Sequence, residues 1–258
     1  MKHAILSHLP GQFPWQVHWF KTIDSTNDRA KTMAAQGAPH GTVLIAEQQT
    51  GGRGRMGRSF HSPGNAGIYL SVILRPNCPA ADLMHLTCAA GVAACTALET
   101  VTGFRPGIKW VNDLIADGKK LGGILTELSV DPATGLASWA VVGIGINCHT
   151  SVFPAPLQDI AIALETVTGK PADRAALTAA LIQELERMCR QLSDKDAILN
   201  LYRQDCVTLG KEVAILGTQA TQYGTALDID SDGALVVRFT DGTISTVSSG
   251  EVSIRPVS

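Results

Sequence analysis

The stretch from Ile108 to Asn147 is the strongest constraint on the fold. Apolar runs there are separated by Asp117-Gly118 and by Asp131 to Gly135, both carrying the residues of tight hairpin connections. Strands joined that closely pair antiparallel, because a parallel return needs a crossover of about a dozen residues. The segment therefore predicts a β-meander.

The elements before it should frame that sheet. Ser25 to Gln36 reads as a helix, with Ser25 as its cap, Asp28 in the first turn and Gly37 as its stop. Thr42 to Gln49 and Ile68 to Leu74 read as neighbouring strands. Ala81 to Val101, with Cys88, Val92, Cys95 and Leu98 at helical spacing, predicts a buried helix covering one sheet face and ended at Thr102-Gly103. After the meander, Pro156 to Thr168, Asp173 to Leu192 and Asp196 to Cys206 have helical period; the second places Leu177, Leu181, Leu185, Met188 and Leu192 on one stripe.

Past Gly210 the texture changes to short strands, Val213 to Leu216, Gly224 to Ile229, Ala234 to Thr240 and Thr243 to Val247, with Asp232-Gly233 and Asp241-Gly242 between them. That spacing suggests a small β-barrel. Two domains are expected, 1–207 and 208–258.

The chain has 258 residues and a formal charge of -2, so the whole-chain balance favours neither a basic nucleic-acid binder nor an acidic disordered tail. Its six cysteines form no CxxC pair, which fits a reduced, cytoplasmic protein without disulfides. No signal peptide is expected from the short apolar run Ala4 to Leu6, and no apolar run is expected to reach membrane-span length. His85 and Cys88 could share a metal by spacing, but among Leu83, Met84 and Leu86 they read as core.

Charge is uneven locally. Between Glu47 and Asp82 no carboxylate occurs, while Arg53, Arg55, Arg58 and Arg75 do, and Gly51, Gly52, Gly54 and Gly57 interleave with the first three arginines. Glycines let backbone N–H groups approach a ligand and guanidinium forks supply charge, so an anionic small molecule is the expected guest. A solvated surface loop is the blander alternative. Gly52, Gly54 and Gly57 match GxGxxG formally, but Phe60 to Gly64 breaks the helix a dinucleotide turn requires, and no acidic residue follows about twenty positions on. A kinase glycine loop fails too, for want of HRD and DFG triplets.

Further polar residues interrupt the meander. Asn112 and Asp113 could form a plain turn, or bind a sugar or organise Mg²⁺ on a nucleotide triphosphate. Of Lys119 and Lys120, strand alternation lets only one readily face a site on the sheet. Gly143, Gly145 and Asn147 leave side-chain space on one strand face, which suits a flat ligand.

In order and spacing, five segments resemble the biotin protein ligase family: Asp24-Ser-Thr-Asn27, Glu47 to Arg58, Lys109-Trp-Val-Asn-Asp113, Lys120-Leu-Gly-Gly-Ile-Leu125 and Gly143-Ile-Gly-Ile-Asn147. Val111 stands where that family usually has proline, and Phe60 where some relatives have tryptophan. The resemblance implies an α+β fold, a mixed or antiparallel sheet flanked by helices, with a C-terminal SH3-like barrel. It implies condensation of biotin with ATP and Mg²⁺ to biotinyl-5′-adenylate, then transfer to a lysine of a biotin carboxyl carrier protein or domain, as in acetyl-CoA carboxylase, without a covalent enzyme intermediate. By motif, Ser25, Thr26, Asn27, Gln49, Gly52, Arg53, Gly54, Gly123 and Gly143 would bind biotin or its adenylate. Arg55 and Lys120 would be catalytic as well, and Asn112, Asp113 and Asn147 nucleotide-binding; no metal ligand is assigned. A monomer or homodimer is expected, without nucleic-acid or membrane partners. Lipoate protein ligase is the near rival, but its Arg-Arg-x-Ser-Gly-Gly-Gly loop and His-Asp pair are missing. A biotin-responsive repressor is the other, disfavoured because only 24 residues, including Pro10, Gly11 and Pro14, precede Ser25.

Overall fold

A computed structural model of the chain describes residues 1–11, 13–76, 78–149, 153–216, 221–248 and 253–256. In chain order, α1 (Lys2–Ser7), β1 (Gln16–Phe20), α2 (Thr26–Ala35), β2 (Thr42–Ala46), β3 (Gly67–Leu74) and α3 (Leu86–Thr102) precede the meander. The meander is β4 (Gly107–Lys109), β5 (Asp113–Ala116), β6 (Lys119–Val130) and β7 (Ala137–Asn147). Together the strands form a seven-stranded sheet in the order β1-β2-β3-β7-β6-β5-β4, parallel between β1 and β2 and antiparallel elsewhere. Of the expected mixed or antiparallel sheet, it is the mixed one that forms.

Helices cover both faces. On one face α2 packs on β3 and β7, burying Ala30 and Ala34 against Leu44, Ile73 and Val141. On the other, α3 packs on β6 and is covered by α5 (Arg174–Arg190) and α6 (Lys195–Asp205). Cys88, Val92, Cys95 and Leu98 are wholly buried there. Each fully buried aliphatic side chain of this kind stabilises the fold by about 1.5–3 kcal/mol relative to exposure. Gly91 permits the tight crossing of α3 over β4, because a Cβ would lie 3.1 Å from Ile108 Cδ1. In α5, Asp173 caps the first turn by accepting from the Ala175 and Ala176 N–H groups, and Leu177, Leu181, Leu185 and Met188 are buried along its stripe.

Two expectations need correction. Pro156 to Thr168 is not one helix; only α4 (Leu164–Thr168) is α-helical, after a single 3-10 turn at Ala155–Leu157. The intervening backbone is used by the sheet: Lys120 N–H donates to Ile160 O at 2.8 Å and Ile162 N–H to Lys120 O at 3.0 Å. Second, among the described residues Ala80–Thr102 is long and apolar enough, by length and composition, to cross a membrane. Its most apolar window is 72% buried, so that apolarity serves the core around α3. The helix α1 and the edge strand β1 were not expected from the residue pattern.

The C-terminal SH3-like barrel is built from β8 (Glu212–Leu216), β9 (Gln222–Ile229), β10 (Leu235–Phe239), β11 (Ile244–Val247) and β12 (Ser253–Pro256) in the antiparallel order β11-β10-β9-β8-β12. Strand β12 was not expected; the other four match. The barrel rests against α6, where Arg203 donates to Asp228 Oδ1 at 2.8 Å.

Candidate active site

The first turn of α2 meets the middle of the sheet in a network of mostly neutral side-chain hydrogen bonds. Ser25 caps α2 by accepting from Asp28 N–H, which fixes the next two side chains toward β3 and β7. Thr26 donates both its N–H and its Oγ1–H to Gln49 Oε1, at 2.8 and 3.0 Å. The Gln49 amide donates in turn to Ser62 Oγ at 2.9 Å. Asn27 donates to Leu125 O and Glu127 Oε2, while Ser71 Oγ lies 2.6 Å from Asn27 Oδ1 and 2.8 Å from Thr26 Oγ1. Ser25, Thr26, Asn27 and Ser71 are all buried.

Glycines of the sheet make room for this network. A Cβ on Gly143 would lie 2.0 Å from Asn27 Oδ1, and one on Gly145 would lie 2.5 Å from the Phe60 ring. The space these glycines leave is thus filled by Asn27 and Phe60, so a flat ligand meets those two side chains instead of bare strand.

The opposite wall carries charge. The loop from Gly52 to Phe60 is a small closed turn, with Gly54 N–H donating to Arg58 O at 2.7 Å and Phe60 N–H to Gly52 O at 2.9 Å. Gly52 must lack a side chain, because a Cβ would lie 2.4 Å from Phe60 O. Arg53 Nε donates to Asp28 Oδ2 at 2.9 Å, and Arg55 Nη1 to Asn112 Oδ1 at 3.0 Å. Lys120 Nζ is paired with Asp113 Oδ1 at 2.6 Å, over the space left by Gly123. Burial moves the Arg55 guanidinium below its ordinary value despite nearby Asp113. Burial raises the Asp28 carboxyl, but hydrogen bonds from Lys31 and Arg53 outweigh it and hold the group below the usual carboxylate range.

One open cleft lies between these walls. Ser25, Thr26, Asn27, Gln49, Arg53, Gly54, Arg55, Asn112, Lys120, Gly123 and Gly143 all line it. Gly52 and Asp113 stand just behind, under Phe60 and beside Lys120. Asn147 is directed elsewhere, donating to Lys120 O and Ile162 O at 3.3 Å. Lys119 turns outward to Gln158 O, as strand alternation requires. Arg75 belongs to another part of the fold: it donates to Ala34 O in the last turn of α2 and to Ala38 O just past it.

Residue reasoning missed Ser71, Ser62 and Glu127. Ser71 left a signal, being the one hydroxyl besides Tyr69 in the otherwise apolar β3. Glu127 left a similar one within β6. No cluster of three or more His, Cys, Asp or Glu side chains suited to a metal occurs among the described residues. His85 is core, with Nε2 2.9 Å from Leu192 O. All six cysteines are free, and burial pushes the Cys148 and Cys189 thiols up to about 12.

A cleft with a neutral polar wall and a cationic wall suits a polar ring joined to an anionic chain. A model described as the biotin/lipoate A/B protein ligase family matches residues 19–147, and one described as the biotin protein ligase C terminal domain matches 208–255. The chain belongs to the biotin protein ligase family. It is a ligase enzyme. The bifunctional ligase/repressor BirA of Bacillus spizizenii is 34% identical over 234 residues, covering 90% of this chain and 72% of that protein. The biotin–[acetyl-CoA-carboxylase] ligase of Mycobacterium tuberculosis is 34% identical over 235 residues, covering 88% and 85%. Among solved structures, the biotin protein ligase of Aquifex aeolicus in complex with biotin and ATP superposes with a TM-score of 0.80 at 30% identity, covering 95% of this chain and 100% of that one.

Proposed function

We propose that this protein condenses biotin with ATP to biotinyl-5′-adenylate, releasing pyrophosphate, and then transfers the biotinyl group to one lysine of a biotin carboxyl carrier protein in the cytoplasm. The observation that carries this reading is that Ser25, Thr26, Asn27 and Gln49 line the same cleft as Arg55 and Lys120. The neutral wall matches a ureido ring, which both donates and accepts hydrogen bonds. The cationic wall matches a carboxylate meeting a triphosphate.

In the first step a biotin carboxylate oxygen bonds to the α-phosphorus, and the bond to the pyrophosphate oxygen breaks. Two anions must be brought together and aligned, so the site has to offset charge and fix orientation. Arg53, Arg55 and Lys120 are suited to that. Asn112, Asp113 and, through the backbone it holds, Asn147 form the nucleotide side. Mg²⁺ suits this donor set: it commonly uses one or two carboxylates with phosphate oxygens instead of a protein cage, and Asp113 is a carboxylate beside Lys120. When bound, it would neutralise phosphate charge.

The adenylate is a mixed anhydride that water would hydrolyse, which gives the Gly52–Phe60 loop a role in covering it. In the second step the carrier's neutral lysine amine attacks the acyl carbon and AMP leaves. No protein nucleophile is required, and the raised pKa of the buried thiols is consistent with that.

The test is incubation with MgATP, an apo biotin carrier domain and either biotin or lipoate, followed by intact mass. Addition of a biotinyl group only with biotin and ATP supports the reading. Equal transfer of lipoate, or none of either with pyrophosphate undetected, overturns it.

A further inference from the structure

The corner Lys109–Asp113, which brings Asn112 and Asp113 to the cleft, is gripped from behind by groups that do not line the cleft. Trp110, only 5% exposed, donates its indole N–H to Gly233 O and its backbone N–H to Thr208 Oγ1, both at 2.9 Å. The wholly buried Tyr202 hydroxyl donates to Val111 O at 3.1 Å. On the cleft side, Asn112 donates to Ile124 O at 2.8 Å and accepts from Arg55, while Asp113 holds Lys120. Neighbouring residues of one short corner are therefore fixed from opposite directions.

The barrel contributes a turn that is itself fixed. Asp230 Oδ1 accepts from the N–H groups of Asp232 and Ala234, each at 2.9 Å, and so shapes the turn that presents the Gly233 carbonyl. Gly233 has φ +84, and a Cβ there would lie 3.0 Å from Cys88 Sγ, so the turn sits directly on α3. Its carbonyl reaches Trp110 from a base with little freedom to shift.

We infer that Tyr202, Thr208 and the Asp230–Ala234 turn of the barrel are positioning elements for the nucleotide half of the cleft. They set the Trp110–Asp113 corner, and through Asn112 and Asp113 they set where Arg55 and Lys120 stand relative to the phosphates. The inference rests on the ligase reading above. Its physical basis is that a buried N–H deprived of its acceptor bears its full desolvation cost, so the corner moves to find another partner. A shift of about 1 Å at a charge-aligning group is enough to slow a reaction about a hundredfold. Among the described residues the bonds of Thr208 and Tyr202 run to Trp110 and Val111 and not to Ser25, Thr26, Asn27 or Gln49, so the effect should fall more on ATP than on biotin.

The experiment is pyrophosphate release by Thr208→Val, Thr208→Ser and Tyr202→Phe in the full chain, with biotin and MgATP varied in turn and each variant's Tm measured. Thr208→Val should raise KM for MgATP about tenfold, the size of one lost buried hydrogen bond, with KM for biotin within about twofold. Thr208→Ser keeps the hydroxyl and should restore the wild-type value. Tyr202→Phe should move KM for MgATP in the same direction and stands in if Thr208→Val does not fold. A lowered Tm with both KM values unchanged, or equal rises for ATP and biotin, would show that these groups only join the barrel to the rest and would overturn the inference. A wild-type protein that releases no pyrophosphate overturns the ligase reading, and this inference with it; an active wild type with unaffected variants overturns the inference alone.

Discussion

The two walls of the cleft are built from different materials. On the α2 side, Ser25 is 1% exposed, Thr26 and Asn27 4%, and Ser71 0%, and they are bonded to one another, to backbone, to the Gln49 amide and, from Asn27, to the Glu127 carboxylate behind them. On the loop side, the Arg53 side chain is 56% exposed and that of Lys120 38%, and each is held by a carboxylate. Buried neutral networks that are fully bonded are rigid and specify one geometry. Exposed ion pairs contribute about 0–1 kcal/mol, so Arg53 can exchange Asp28 for a ligand's anionic oxygen at little cost, and Lys120 can turn toward one while Asp113 stays beside it. The neutral wall is shaped before a ligand arrives, whereas the charged wall is poised to change partners. Recognition of a ring and handling of phosphate charge are thus separated in space.

The sharpest way to break that comparison is Lys120→Ala. If the charged wall does the chemistry, ATP–pyrophosphate exchange should fall about 10²–10³-fold, the usual cost of removing one group that stabilises developing charge. Biotin affinity, read by isothermal titration, should stay within about twofold of wild type. Equal losses in both would mean that the walls act as one unit.

Gly143→Ala attacks the other wall. Its Cβ would meet Asn27 Oδ1 at 2.0 Å, and overpacking of this kind typically costs about 1–3 kcal/mol. Biotin affinity should fall roughly 10–100-fold with KM for ATP little changed. Unaltered biotin binding would show that Asn27 can move aside and that the neutral wall is not preformed.

Arg55→Gly removes the link from the loop to Asn112. Release of the adenylate should quicken about tenfold, as for one lost charge-assisted hydrogen bond, with more labelling of bystander lysines. Unchanged release in rapid-quench experiments would take Arg55 out of that role.

How much of this was legible beforehand differs between the walls for a physical reason. The Gly52–Arg58 loop announces itself locally, since glycines and arginines crowd a short carboxylate-free interval, and Ser25 is a readable helix cap. The capping of α2, the β2–β3 pairing and the meander follow from turn chemistry and periodicity alone. What stayed hidden depends on residues brought together from far apart in the chain: Ser71 and Glu127 reach Asn27 across the sheet, and Asp28 reaches Arg53. The room beside Gly143 and Gly145 was readable, but its occupants Asn27 and Phe60 were not, because a missing Cβ does not say what fills the gap. Pro156 to Thr168 misled for the same reason, its helical period being overridden by backbone bonds to Lys120.

The smallest expected effect concerns the latch between Asp28 and Arg53, and it sharpens the comparison by asking how weak the charged wall is. Asp28 has its folded pKa lowered, so its contribution to stability is fully present above the unfolded value, about 3.9, and is lost as pH falls through the folded one. Asp28→Asn should therefore lower stability by less than about 1 kcal/mol at pH 7, since the carboxylate is partly exposed and screened. The gap between wild type and variant in urea denaturation should close below roughly pH 4. Lys31 keeps its pair with Glu127 at 2.7 Å in the variant, so the neutral wall behind Asn27 should be undisturbed and biotin affinity unchanged. A loss of several kcal/mol at pH 7 would mean that the latch is as rigid as the buried network. The loop would then have to break it to close over a ligand, and the charged wall would no longer be the exchangeable one.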